Sequence, residues 1–150
     1  MTDQQLALKL YVVLSRAHRA VERHAQLDIA RHELSQGEFA IMEALYHRGP
    51  LLLGDVQRKI LVSSGGVTYL VDRLEANGLV ERRESESDRR ARYAALTRKG
   101  EQFMRKIFPA HAKALERAVS GLTQAEKKQA IELLRKLGRA AAEALPGTRN

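Results

Sequence analysis

Five cations with no anion among them, Arg89, Arg90, Arg92, Arg98 and Lys99, stand within the stretch RRARYAALTRK at 89–99. Such a run can neutralise phosphates, or it can be a solvated loop of long side chains; charge alone does not separate the two. The excess extends beyond this tip. The chain carries 26 Lys and Arg against 18 Asp and Glu, a net +8 at pH 7, and that balance favours a polyanionic partner. Residues 1–53 hold six charges of each sign, 54–99 hold ten basic and seven acidic, and 100–150 hold ten and five. A second cluster, Ser63, Ser64, Gly65 and Gly66, has the residue types of a nucleophile or a phosphate loop. The surroundings that either chemistry needs are missing, since there is no G-x-S-x-G, no GK[ST] and no H-E-x-x-H. His18 and His24 are six apart, and Leu115 stands four after His111, so neither pattern sets two imidazoles on one helical face for a metal. With no cysteine in the chain, thiolate ligands, thiol nucleophiles and disulfides are excluded together. The expectation is a binding protein and not an enzyme, with no cofactor and no metal.

Length and pattern say what must position these residues. The 150 residues, 44% apolar, suit one domain with a real core. No apolar run is long enough for a membrane span or a secretory segment, and the expected location is cytoplasmic. Leu6, Leu10, Val13, Ala17 and Val21 recur at spacings of four and three, predicting a long amphipathic helix from 4 to about 30. Ser35 and Glu38 form a capping box ahead of Phe39, Met42, Leu45 and Tyr46, so a second helix starts there. Gly49 and Pro50 end it, Leu51–Leu53 can make a minimal strand, and Asp55–Leu61 suits a short helix. Ser63 or Ser64 can cap the next helix, whose inward face is Val67, Leu70, Val71 and Leu74 and which stops at Asn77 and Gly78. Leu79 to Arg83 and Arg92 to Leu96, separated by polar turn residues, then read as a hairpin, with Ala94 and Ala95 weakening the strand pattern. Thr97 opens a helix with an expected kink near Ile107 or Phe108, ahead of Pro109. Thr123 and Glu126 cap a last helix whose stripe is Ala130, Leu133, Leu134, Leu137 and Ala141.

At 63–100 the segments SSGGVTYLVDRLEANGLVERR and SDRRARYAALTRKG resemble the winged helix-turn-helix of the MarR family of bacterial transcriptional regulators. Asp88, Arg90, Leu96, Thr97 and Gly100 match that family's signature D-x-R-(x)5-L-T-x-x-G in register. The resemblance implies a mainly α fold with a small β-hairpin wing. A winged helix-turn-helix over about 35–99 would be flanked by dimerisation helices in 1–34 and 100–150. It implies a homodimeric, ligand-responsive repressor that binds double-stranded DNA at an inverted repeat. The start at Ser63 resembles a branch that responds to phenolic or quinone compounds, so the implied effector is a small aromatic or phenolic molecule. No residue of a ligand pocket is recoverable.

On that fold the helix start and Thr68, Tyr69 and Arg73 would face the major groove. Ser63 and Ser64 would donate to phosphate oxygens at a helix N-terminus, which itself favours anions. Gly65 and Gly66 either let the main chain approach DNA closely or serve as flexible turn residues. The resemblance places Arg90 in the minor groove at the wing tip, with Arg89 and Arg92 assisting. Asp88, which phosphate would repel, is assigned to orienting an arginine by a charge-assisted hydrogen bond. The helix 1 stripe, Phe103, Ile107, Phe108, Leu133, Leu134 and Leu137 form the expected dimer core, with packing inside one chain as the competing reading. Two other functions use the same charge: a non-specific architectural DNA binder, which would not depend on Thr68, Tyr69 or Arg73, and a winged-helix protein-interaction module.

Overall fold

The computed structural model describes residues 1–60, 64–88 and 90–147. Its elements are α1 (Asp3–Ala30), α2 (Gln36–Arg48), β1 (Leu51–Leu52), α3 (Leu53–Ile60), α4 (Ser64–Ala76), β2 (Val80–Glu84), β3 (Arg92–Leu96), α5 (Arg98–Ala118) and α6 (Gln124–Glu143). The capping boxes at Ser35 and Thr123 form as their spacing predicts, and a third, Thr2 with Gln5, starts α1. In each, the side-chain oxygen and the amide or carboxylate three residues on satisfy reciprocal backbone donors.

A small antiparallel sheet in the order β1-β3-β2 joins the minimal strand to the hairpin. Leu51 pairs with Ala94, and Val80 to Glu84 pair with Leu96 to Arg92. Ala94 and Ala95, poor strand formers by propensity, are both buried in the central strand, where a small side chain lets helices pack closely. Ile41, Met42, Val56, Val71, Leu74 and Met104 make the most deeply buried part of the core. Ile29 and Leu34 join that core from the end of α1 and the link to α2, and Ile107 joins it from α5.

One expectation is revised, and one helix is continuous across its proline. Helix α5 runs through Pro109 as one element. The carbonyl that proline leaves without a donor belongs to Arg105, and both residues are exposed, so water can satisfy it. Ile107 is buried within the single chain, and Phe103 and Phe108 pack against its core, so for these three the intrachain reading holds. The helix 1 stripe and Leu133 and Leu134 behave differently: Leu6, Leu10, Val13, Leu133 and Leu134 are about half exposed or more.

The joint between α4 and α5 is built from backbone. Leu79 N–H donates to Leu74 O and Gly78 N–H to Glu75 O, both at 2.9 Å, with Gly78 at φ +72°, the arrangement that ends a helix on a left-handed glycine. Thr97 then serves both sides of the joint. Its hydroxyl donates to Gly78 O at 2.5 Å and accepts from Gly100 N–H at 3.0 Å, while Lys99 Nζ donates to Asn77 O at 2.8 Å. Thr97→Val keeps the shape but orphans both groups. It is expected to lower unfolding stability by about 1–2 kcal/mol in urea titration, and a loss below about 0.3 kcal/mol would contradict this account.

Candidate nucleic-acid interface

The register of α4 decides which side chains it presents. Val67, Val71 and Leu74 are buried, and Leu70 packs on the core beside Gly37. The opposite face therefore exposes Thr68, Tyr69, Asp72 and Arg73, as the spacing predicts. Ser64, Gly65 and Gly66 form the first turn of this helix. The cost of about 1 kcal/mol that each glycine would carry in a helix interior is reduced in this first turn. The expected roles of Ser63 and Arg89 fall on residues outside those described.

Tyr69 and Arg73, one turn apart, form a unit. Arg73 Nη1 donates to the Tyr69 hydroxyl at 3.3 Å, and its guanidinium carbon lies 5.9 Å from the ring centroid. Glu38 Oε1 stands 3.7 Å from Arg73 Nε. The hydrogen bond to Tyr69, then the charge of Glu38, raise the Arg73 pKa above its ordinary value. Glu38 is nearly buried and its carboxylate also accepts from Ser35 N–H at 3.4 Å, so the cap of α2 and the outer face of α4 share one carboxylate. Only the cap was visible as a sequence pattern.

At the wing tip, Arg90 is exposed in the turn between β2 and β3. Asp88 Oδ1 accepts from the Arg90 backbone N–H at 2.9 Å, and Ala91 N–H donates to Asp88 O at 3.1 Å. The aspartate thus shapes the turn through the main chain. Arg92 Nη1 lies 3.4 Å from Glu84 across the strand pair, and Arg83 pairs with Glu81 at 2.6 Å.

Sequence reasoning did not single out Arg82. Its guanidinium reaches from β2 to α4, with Nη2 2.6 Å from Asp72 Oδ1 and Nη1 2.9 Å from Glu75 Oε2. Burial acts to lower its pKa, but the hydrogen bonds to Asp72 and Glu75 outweigh burial and leave it raised. Also unanticipated is a polar pair under the module. His111 Nδ1 lies 3.2 Å from Asp28 Oδ2, both groups buried, and His32 Nε2 lies 3.5 Å from the same oxygen. The His111 ring packs 4.4 Å from Phe39, so the pair fastens α5 to α1 where both meet α2. A buried carboxylate needs such partners, but residues 83 apart in sequence leave no periodic signal.

Among the clefts lined by described residues, two lie where the module meets α5. One of about 270 Å³ lies among Tyr46, Pro50, Arg83, Leu96 and Glu101. The other, about 470 Å³, lies among His32, Leu34, Asn77, Lys99 and Phe103. Among the described residues no group of histidine and carboxylate side chains is placed to hold a metal, and no helix is long and apolar enough to cross a membrane.

Helices α2 to α4 with a three-stranded sheet carrying an exposed hairpin tip constitute a winged helix-turn-helix, a DNA-binding class of fold. Residues 34–91 match the MarR family model. Two Bacillus subtilis proteins are similar along most of their length. The HTH-type transcriptional regulator YkoM is 43% identical over 136 residues, covering 91% of this chain and 88% of that protein. The HTH-type transcriptional regulator MhqR is 41% identical over 138 residues, covering 92% and 94%. Among solved structures, Sco3205, a MarR family transcriptional regulator from Streptomyces coelicolor in complex with DNA, superposes with a TM-score of 0.78 at 26% identity, covering 99% of each chain. The chain belongs to the MarR family and is a DNA-binding transcriptional regulator.

Proposed function

We propose that the chain acts as a homodimeric, ligand-responsive repressor that reads an inverted repeat. The observation that carries this reading is the state of its terminal helices. No described residue of α6 is buried, and α1 buries only Asp28 and Ile29, although both carry apolar side chains at helical spacing. A second copy would cover both stripes, and a two-fold axis would then set two α4 helices about 34–36 Å apart, one turn of duplex. In this arrangement 35–99 is the reading module, and 1–34 and 100–150 are the dimerisation segments. The first turn of α4, Ser64 to Gly66, with Thr68, Tyr69 and Arg73, enters the major groove, and Ser63 is assigned to a phosphate beside it. Arg90 enters the minor groove, with Arg89 and Arg92 beside it and Asp88 shaping the turn. Repression follows from occupancy, since a dimer astride a promoter excludes other proteins from the same face of the duplex. The clefts beside α2 and α5 give a small aromatic or phenolic effector space between the module and the helices that would set its spacing, which is how binding there would alter affinity. The location of such a protein is the cytoplasm.

Binding-site selection from random duplexes tests the reading. A palindromic site should emerge and bind more tightly than scrambled duplex at equal salt, by about a thousandfold or more, within the range known for specific regulators. Equal affinity for every duplex would instead establish the architectural alternative. Arg90→Ala should weaken operator binding about tenfold or more, the scale of losing a well-placed groove contact, while thermal midpoint and oligomeric state stay those of the parent. Unchanged affinity in a gel-shift titration would remove Arg90 from the interface.

A further inference from the structure

Three wing arginines have their partners in view, and they divide by where those partners sit. Arg83 and Arg92 pair with Glu81 and Glu84, inside the hairpin itself, and their side chains are about half exposed. Arg82 leaves the hairpin: its side chain is 23% exposed and spans to Asp72 and Glu75 on α4. Those carboxylates stand three residues apart on one helical face, and a planar guanidinium can meet both at once, whereas an ammonium presents a single point charge. The covalent path from α4 to β2 is the turn at Asn77 to Leu79, fixed at its base by Thr97 and Lys99, so contacts farther along β2 set how the hairpin leans on α4. Asp72 also lies on the outer face of α4, where a carboxylate left alone would repel phosphate.

We propose that Arg82 is a positioning residue that clamps the wing to the recognition helix through Asp72 and Glu75, so that Arg90 and the outer face of α4 meet the duplex as one rigid body. The inference rests on the reading above, in which α4 and the wing are the elements that contact DNA. Arg82 holds no base or phosphate itself; both of its terminal nitrogens are engaged within the protein.

The decisive variant is Asp72→Asn with Glu75→Gln in the full chain, measured by fluorescence anisotropy on the selected operator. Both positions are solvent-exposed, so the fold tolerates the change. Removing two negative charges from the DNA side should tighten binding if charge alone matters; the clamp requires binding to weaken tenfold or more. Arg82→Gln should match that loss, Arg82→Lys should stay within threefold of it, and combining all three carboxamides should add no more than threefold. In the Arg82→Gln background the tenfold effect of Arg90→Ala should shrink below threefold. A second readout needs no duplex: amide exchange in the hairpin, 80–96, should accelerate at least tenfold in Arg82→Gln while α1 and α5 keep the parent's rates. Parent-like or tighter binding by the carboxamide pair, an undiminished Arg90→Ala effect, or unchanged hairpin exchange would each overturn the clamp. Failure to find any preferred site would sink the DNA reading, and the exchange experiment would still decide the clamp.

Discussion

Replacing Gly100 with alanine is expected to lower unfolding stability by about 3 kcal/mol or more, a large share of what holds a domain of this size together. The cause is a backbone contact. A Cβ at Gly100 would sit 2.0 Å from Leu79 O and 2.9 Å from Leu79 C, and that carbonyl cannot swing aside because it accepts from Thr97 N–H at 3.1 Å. Relief requires either moving the first turn of α5 away from the wing or breaking the Thr97 bond, and Thr97 is the residue that caps α5. Gly54→Ala provides the internal comparison, because nothing lies within 4 Å of the place its methyl would take and alanine is the better helix former in α3 by about 1 kcal/mol. Urea titrations of the two variants should therefore shift in opposite directions. A Gly100→Ala midpoint equal to the parent's would mean that the α4–α5 joint is looser than these distances describe.

This glycine also shows why part of the fold was legible. The helices of the core declare themselves because burial imposes a period: Val67, Leu70, Val71 and Leu74 could face only one way, and their inward register left Thr68, Tyr69 and Arg73 outside. Caps are equally local, three residues apart, and the boxes at Ser35 and Thr123 form where expected. The D-x-R-(x)5-L-T-x-x-G resemblance picked out Asp88, Thr97 and Gly100 as a set, and the structure supplies the physical reasons: a turn closed by a side chain, a cap shared by two helices, and a close approach of backbone.

What stayed hidden is whatever depends on two segments meeting. The pairing of Leu51 with Ala94, the Asp28–His111 pair and the reach of Arg82 to Asp72 and Glu75 each join residues with no fixed spacing, so no periodicity marks them. Arg82 was also masked by its neighbours: in a run of arginines, composition does not say which one faces inward. Phe103, Ile107 and Phe108 went the other way. Their apolar character is the same whether a partner chain or the wing module covers them, and only the packing of α5 against α1, α2 and β3 shows that the cover comes from the same chain.

The residues still uncovered carry the second large prediction. Leu10→Glu combined with Leu134→Glu should convert the protein to a monomer at micromolar concentration and reduce affinity for the selected palindrome by a hundredfold or more. Both side chains are about half exposed in the single chain, so charge placed there costs the monomer fold little. In a dimer, each would have to lose water against an apolar neighbour, and an unpaired buried carboxylate is strongly unfavourable. Affinity falls steeply because two half-sites are then bound as independent events instead of one event followed by an intramolecular second, a gain that typically reaches 10²–10⁴. The size of the loss separates this from damage to the reading module. A single half-site duplex should bind the variant and one protomer of the parent about equally, since neither substitution touches α4 or the wing. Sedimentation at several concentrations and titrations of whole and half operators decide it together. A variant that remains dimeric, or one that loses half-site binding in proportion, would show that α1 and α6 are not the faces that bring two modules onto one stretch of DNA.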